Sequence, residues 1–271
     1  KSKHKNDRAD AEKLALLGRF DQRLLSPVHH RSEAHQSHLA ILQAREGLVK
    51  ARTNLINQVR GLVKAQGARL KKCSTEAFAN KVRAEIPEGL QEALLPLIEV
   101  IASLTERIKG FDKRIKELCD KEYSHTELLR QVKGVGVISA LAFVLILEDP
   151  QRFDKSRSVG AYLGLTPGGK QSGEQDIKLR ITKQGNEFLR KLLVQCSHYL
   201  LGPFGEDCDL KRYGQKLAAS GGEGAKKRAV VAVARKLSVL LHHLWVTGLV
   251  YEPLYQHHKK TPQQDALKPA A

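Results

Sequence analysis

Between Gly160 and Arg190 the chain reads GAYLGLTPGGKQSGEQDIKLRITKQGNEFLR, and within it the hydroxyl of Ser172 stands beside Gly173. Pro167, Gly168 and Gly169 precede it. Gly and Pro interrupt regular structure, so the pattern predicts Ser172 in a loop between packed elements. Lys178, Arg180 and Lys183 follow, and Gly185-Asn186 opens an apolar helix whose first turns carry Arg190 and Lys191. A hydroxyl facing Arg and Lys has what phosphodiester chemistry requires, a nucleophile and positive charge to stabilise the attacked phosphorus. Taken alone, a Ser-Gly pair is more often a surface turn among solvated charges. Of the competing hydroxyls, Thr182 shares the basic segment. Ser139 falls in an apolar stretch, where a hydroxyl usually bonds its own backbone.

Two carboxylates form a second group. Asp7 and Asp10 are three residues apart, ahead of Leu14, Leu16 and Leu17. On a helix they share a face and could reach one divalent ion. Favourable charge at a helix N-terminus explains them as well. His35 and His38 have helical spacing too, but no third ligand is apparent, and a solvated helix end accounts for them. The adjacent His242 and His243 cannot share a helix face.

The elements that must position these groups read as mainly helical. Ile41, Leu48, Leu55 and Leu62 step by seven, as do Leu42, Val49, Ile56 and Val63, with Arg45, Lys50, Arg52, Arg60 and Lys64 assigned to the opposite face. A second ladder runs through Leu94, Leu97, Ile101, Leu104, Ile108, Phe111, Ile115 and Leu118. Each needs a partner to cover its seam, and the 65–89 link is long enough for the chain to double back. An antiparallel helical hairpin over 31–122 is therefore expected, with intermolecular pairing as the other possibility. Residues 126–148 read as helix, Gly134-Val135-Gly136, then apolar helix. This fits either a helix-hairpin-helix, whose glycines let the backbone approach a phosphate, or an ordinary buried helical turn. Tyr162, Leu163, Leu165, Ile177, Leu179 and Ile181 suggest short extended pieces. A helix then runs from Asn186 to Leu201, a Gly-rich loop from 202 to 224, and a closing helix apolar through Val230, Val233, Leu237, Leu241 and Leu244. Lys226, Lys227, Arg228, Arg235 and Lys236 line its other side. Ser26-Pro27 closes a first segment, 1–30, and a polar tail occupies 256–271 around a domain at 123–255.

Lys plus Arg is 46 and Asp plus Glu 29 in 271 residues, a net charge of +17. That excess points to a polyanionic partner, because neutralising phosphates releases counterions. No apolar run in the sequence approaches the roughly 20 residues of a membrane-spanning helix, so no membrane partner is expected. Cys73, Cys119, Cys196 and Cys208 are far apart and read as free thiols of a reduced, cytoplasmic protein. Methionine is absent and the chain opens on Lys1, as expected for the C-terminal part of a longer product.

Four segments, taken in order, resemble transposases of the insertion sequence 110 and 1111 type. They are KNDRADAEKLA, then LLRQVKGVGVISALAFVLILEDPQRFDKSRSVGAYLGLTP, then QSGEQDIKLRITKQGNEFLRKLL, and finally KKRAVVAVARKLSVLLHHLW. The resemblance implies a RuvC-like nuclease fold with a DEDD acidic set, a coiled-coil insert and a C-terminal transposase domain. Residues 1–30 would be the end of the nuclease domain, with Asp7 and Asp10 as the third and fourth acidic ligands of Mg²⁺. Ser172 would be the nucleophile that forms a phosphoserine link. From the residue pattern itself, Gly134, Gly136, Lys178, Arg180, Lys183 and Arg190 are the expected DNA contacts. The strands bearing the first Asp and the Glu of the set are not in these residues, so Mg²⁺ binding is expected only with those upstream carboxylates present. The resemblance also implies oligomers, DNA substrates and a structured guide RNA. Two other readings stand beside it: a non-catalytic helix-hairpin-helix nucleic-acid-binding protein, and a metal-dependent junction nuclease. A covalent protein–DNA adduct separates the transposase from both.

The charge alone makes one expectation testable. Affinity for duplex DNA across a salt series should fall on a log–log plot by about 0.9 per neutralised phosphate, and a flat line would refute the polyanion assignment.

Overall fold

The computed structural model describes residues 6–21, 30–172 and 175–255, without the side chains of 170–172 and 175–178. Ser26-Pro27 and the 256–271 tail lie outside the described residues. The chain divides into two compact units, residues 1–33 and 34–271. The described residues are mainly helical, with one pair of short strands.

In the first unit, α1 spans Asp7–Phe20. Asn6 caps it by accepting a hydrogen bond from the Arg8 N–H at 3.0 Å, and Asp7 and Asp10 sit in the first turn, where the helix dipole favours negative charge. Leu14, Leu16 and Phe20 are exposed.

The second unit begins with two long helices, α2 (Glu33–Ala65) and α4 (Gln91–Lys121). Arg45 meets Asp112 and Arg52 meets Thr105. The two pairs are seven residues apart on both helices in opposite directions, which makes the helices antiparallel. Leu42, Ile56 and Val63 are buried, whereas Leu62 of the neighbouring heptad row is 42% exposed. One facing helix covers one stripe, so the second row is left at the rim. The link between the helices contains α3 (Phe78–Val82). Its Phe78 and Val82, with Ile86, close a core against Ile56, Val59, Val63, Leu94, Ile98 and Ile101. Arg52 departs from the sequence reading, for it lies inside rather than on the solvated face, at 5% exposure. Its guanidinium donates to Thr105 Oγ1 at 3.3 Å and to Thr75 and Glu76 at 3.4 Å. Backbone and Thr75 hydrogen bonds, and then the Arg52 charge, hold the Glu76 carboxyl below its usual range.

The remaining helices enclose a second core. They are α5 (Thr126–Arg130), α6 (Val137–Leu147), α7 (Arg157–Tyr162), α8 (Glu187–Leu201), α9 (Asp209–Ala219) and α10 (Ala225–Thr247). In α6 every residue from Ser139 to Leu147 is buried, and Ser139 Oγ accepts a bond from Cys196 Sγ at 3.4 Å rather than turning back on its own backbone. The Gly-rich stretch expected as a loop contains α9. A Cβ at Gly214 would lie 2.4 Å from Leu201 Cδ2 and 2.7 Å from Val233 Cγ2, so this helical glycine marks a close crossing and not a break. Helix α10, at 23 residues, is long and apolar enough to cross a bilayer by length and composition, a feature that the charges within its sequence obscure. Here it packs against α7, α8 and α9, with Gly248 in the left-handed region as its C-terminal cap. His242 is buried in it, bonded at 2.9 Å to Ser156 Oγ and to the Pro150 carbonyl, while His243 is exposed.

His35 and His38 are not a solvated helix end. Both rings pack edge-on against Tyr123, and His38 Nδ1 lies 2.9 Å from the Tyr123 hydroxyl. His125 also meets Tyr123 and stacks on Trp245, and its Nε2 is buried without a partner. Glu122 and Glu148 lie 3.7 Å from His38 and His35. Burial, and then the His35 charge, push the His125 pKa below its ordinary 6.5. The unfolded chain takes up this proton more readily, so His125 costs the fold stability as pH drops below the ordinary imidazole range. Thermal midpoints measured from neutral pH downward should fall more steeply for the wild type than for His125→Phe. Equal slopes would show that His125 does not contribute.

Candidate nucleic-acid interface

The segment around Ser172 is a β-hairpin rather than an irregular loop. Strand β1 (Pro167–Ser172) pairs antiparallel with β2 (Gln175–Ile181), with Pro167 opposite Ile181, Gly169 opposite Lys178 and Ser172 opposite Gln175. The register shifts between Pro167 and Gly169, so Gly168 sits at an irregularity of the kind glycine accommodates. Pro167 is the first residue of its strand, a position where its missing N–H costs no ladder bond. Of the expected extended residues, Ile177, Leu179 and Ile181 lie on β2. Tyr162 instead ends α7, and Leu163 and Leu165 form the turn after it.

The base of the hairpin is built from close backbone contacts. The Thr182 N–H donates to the Thr166 carbonyl at 3.0 Å, and that of Lys183 to the Gly164 carbonyl at 3.1 Å. Gly164 and Gly185 both have φ in the left-handed region, and a Cβ would meet the Gln184 oxygen at 2.2 Å from the first and the Tyr162 oxygen at 2.0 Å from the second. Only glycine fits either place. Arg190, expected beside the serine as a phosphate ligand, is used here. Its Nη1 donates to the carbonyls of Leu163 and Gln184, each at 3.0 Å, which fastens the hairpin to α8. Those carbonyls come from either side of the hairpin, so the distance in sequence hid the contact.

Ser172 is at the far end of this ribbon. It is five positions along from Pro167, about 17 Å on an extended strand. Lys178 stands on β2 between them. The other two expected cations, Arg180 and Lys183, are at the base, where they line a cleft of about 1610 Å³. The hairpin supplies one side of this cleft, with Pro167, Leu179 and Ile181, and α10 supplies another with Lys227, Arg228, Arg235 and Lys236. Arg157, Tyr213, Tyr251 and Tyr255 complete the parts of interest. Among the described lining residues there are seven Arg and Lys against Asp209, Glu223 and Glu252, and His243 adds an eighth basic group. Lys236 Nζ is 4.1 Å from the Tyr213 ring centroid, a cation–π contact. Burial, and then Cys208, push the Tyr251 phenol pKa up, so this ring stays neutral.

Arg157 and Tyr213 were not singled out from the sequence. A basic residue at the start of a six-residue helix and a tyrosine within an unrecognised one carry no local signal. Gly160 carries a signal of another kind. A Cβ there would lie 2.9 Å from Arg235 Cγ, so its absence lets the arginine stem pass over α7.

The other expected residues are placed differently. Gly134 has φ +90, and a Cβ on it would meet the Tyr199 ring at 2.8 Å and the Cys196 carbonyl at 3.3 Å. Its backbone closely approaches α8, not an open surface. Gly136, just before α6, faces open space beside Arg130 and Gln131. Asp7 and Asp10 belong to the first unit, where Asp10 pairs with Lys13 at 3.5 Å. Among the described residues no group of three or more His, Cys, Asp or Glu side chains is arranged to hold a metal.

Sequence comparisons now bear on this arrangement. Residues 126–204, which hold the hairpin, match the family Transposase IS116/IS110/IS902. Residues 1–66 match a second transposase family, that of the DEDD IS110 type. Similar proteins include the transposase for insertion sequence element IS1111A of Coxiella burnetii, 29% identical over 240 residues, which are 86% of this chain and 64% of the relative. The probable family 20 transposase of Pseudomonas aeruginosa is 31% identical over 199 residues, 70% of this chain and 57% of that one. The transposase for insertion sequence element IS1328 of Yersinia enterocolitica is 29% identical over 203 residues, 72% and 58% of the two chains. The chain belongs to the IS110-type transposase family, and it spans about 64% of the length of the Coxiella relative.

The structural role of Arg190 can be checked directly. Arg190→Ala removes two charge-assisted bonds, worth about 1.5–3 kcal/mol each when buried, although this partly exposed pair should give less. Amide hydrogen exchange at Thr182 and Lys183 should speed up while that of α6 is unchanged. Unaltered exchange at the hairpin base would release Arg190 for a ligand.

Proposed function

We propose that this chain acts in DNA transposition, holding nucleic acid in the cationic cleft and cleaving and rejoining strands through Ser172. The observation that carries the reading is the concentration of Arg and Lys along one cleft, contiguous with the hairpin that ends in the serine. Polyanion binding at such a surface is driven by counterion release. The chemistry assigned to Ser172 is in-line displacement. Its oxygen bonds to phosphorus as its proton passes to a general base, and the bond from phosphorus to one strand oxygen breaks, leaving a free hydroxyl end. A second strand-end hydroxyl then attacks the phosphoserine and releases the serine. The phosphodiester energy is conserved throughout.

A serine at the end of an extended ribbon has reach, but its hydroxyl is a poor nucleophile without a base. The described carboxylates of the cleft and His243 stand with the hairpin base, at the other end of the ribbon from Ser172. The reading therefore requires a second acidic element to meet the ribbon end. Asp7 and Asp10 would contribute two carboxylates to a divalent-ion site whose other ligands come from outside these residues, and no step above is routed through that ion. We include a structured guide RNA and a homo-oligomer in the proposal on family grounds, and a reduced compartment such as the cytoplasm, which suits four free thiols.

Ser172→Ala in a full-length protein should abolish the covalent protein–DNA adduct and leave DNA affinity within about twofold, since one neutral hydroxyl is worth well under 1 kcal/mol of binding. Adduct or recombinant product from the alanine variant would remove Ser172 from the mechanism. Metal-dependent cutting without any adduct would favour the junction nuclease.

A further inference from the structure

The side of α10 that faces the cleft has a regular composition. Lys227, Val231, Arg235, Val239 and His243 follow one another at intervals of four residues, and so do Arg228, Ala232, Lys236 and Leu240 in the adjoining row. Both rows alternate basic and apolar side chains. Each step is about 6 Å along the helix, so cations recur about every 12 Å with an apolar interval between them. Across the cleft, Leu179 is 50% exposed beside Arg180, repeating the pairing of an uncovered apolar group with a cation. A surface meant only for duplex phosphates gains nothing from those apolar intervals, because a duplex keeps its bases stacked inside and presents charge. An unpaired strand offers both partners, phosphates for the cations and base faces for the apolar and aromatic groups.

From this alternation we propose that the cleft between the hairpin and α10 is a binding site for a single, unpaired polynucleotide strand. The inference rests on the reading that the cleft receives nucleic acid, and it specifies the form received. Arg235 is the central cation of its row. It is positioned by Gly160, whose missing side chain leaves the passage for the Arg235 stem across α7. Lys236 is held over Tyr213, so the cation and the ring act together on one side of the strand. The recess is larger than the upper bound of about 1000 Å³ for small-molecule sites, and it suits a segment of several nucleotides. DNA and RNA strands share this chemistry, and the experiment separates them.

The test is fluorescence anisotropy of the whole chain with labelled oligothymidylate, oligouridylate and a mixed-sequence duplex, all of about 16 nucleotides, at about 0.15 M salt. The single strands should bind at least about tenfold tighter than the duplex, the effect of roughly one stacked base. Leu179→Ser removes an apolar contact from a half-exposed site and should weaken single-strand binding about fivefold. Gly160→Val displaces Arg235 without changing net charge and should do the same, with circular dichroism confirming the fold. Phe204→Ser, at a 79% exposed position outside the cleft, should have no effect. Tighter binding of thymidylate or of uridylate supports the site and assigns the strand to DNA or RNA, and equal binding supports a site for either. A duplex bound as tightly as the strands, or full single-strand affinity in both cleft variants, overturns the inference while leaving nucleic-acid binding intact. Failure to bind all three would overturn both.

Discussion

The C-terminal half of this protein depends on the two-sidedness of α10. Val233, Leu237, Leu241 and Leu244 are removed from water against α7, α8 and α9, while Lys227, Arg228, Arg235 and Lys236 remain at the cleft. Each fully buried aliphatic side chain contributes on the order of 1.5–3 kcal/mol, so the apolar side dominates the placement of the helix. The cations follow passively. They are held on one surface because the helix cannot rotate without exposing its core residues. A binding surface made in this way needs few dedicated bonds to orient its charges: Arg228 donates to the Glu223 carbonyl at 2.8 Å, and Lys236 lies over the Tyr213 ring.

A second constraint acts at the base of the hairpin. Gly164 and Gly185 let backbones approach to distances that any side chain would forbid, and Arg190 ties the carbonyls of Leu163 and Gln184 to α8. The ribbon is thus anchored at one end. Arg180 and Lys183 stay with the anchor at the cleft, and Ser172 is carried to the opposite end. Arg180 and Lys183, expected to stabilise the phosphate attacked by Ser172, thus stand at the other end of the ribbon from it. Binding and reaction would occupy different ends of one ribbon, with the strand in the cleft held some distance from the bond to be broken.

The paired long helices use polar groups differently. Arg52 is buried between α2 and the link beyond it, and Thr105 from α4 receives one of its donors. Burying a guanidinium is costly, and Glu76 and the two threonines offset that cost only in one alignment of the helices. Sliding either helix by a turn would leave the cation facing apolar side chains. Arg52 therefore specifies register more than it adds stability. The His35, His38, Tyr123 and His125 group plays a comparable part where the long helices meet the C-terminal core, since its rings lock together only when α2, α4 and α10 are all in place.

What the sequence determined by itself was local or additive. The helices are legible because apolar periodicity is a property of adjacent residues. Asn186 as the cap of α8 and Gly248 as the end of α10 follow from one residue's chemistry. The basic charge is a sum and needs no geometry, and the four matching segments gave the transposase family. The tertiary structure alone decided how individual residues are used. Arg52, Arg190 and Arg235 are the same side chain in similar basic surroundings, yet one is a buried register pin, one fastens a hairpin and one lines a cleft. The difference lies in groups brought from 6 to 75 positions away in sequence, the Gln184 and Leu163 carbonyls, Thr105 and Gly160. The glycines divide in the same manner. Gly214 within α9 and Gly134 before α6 read as breaks or phosphate contacts, but each marks a place where another helix comes too close for a side chain. Such contacts have no signature in the neighbouring residues, because the element that imposes them is distant in the chain.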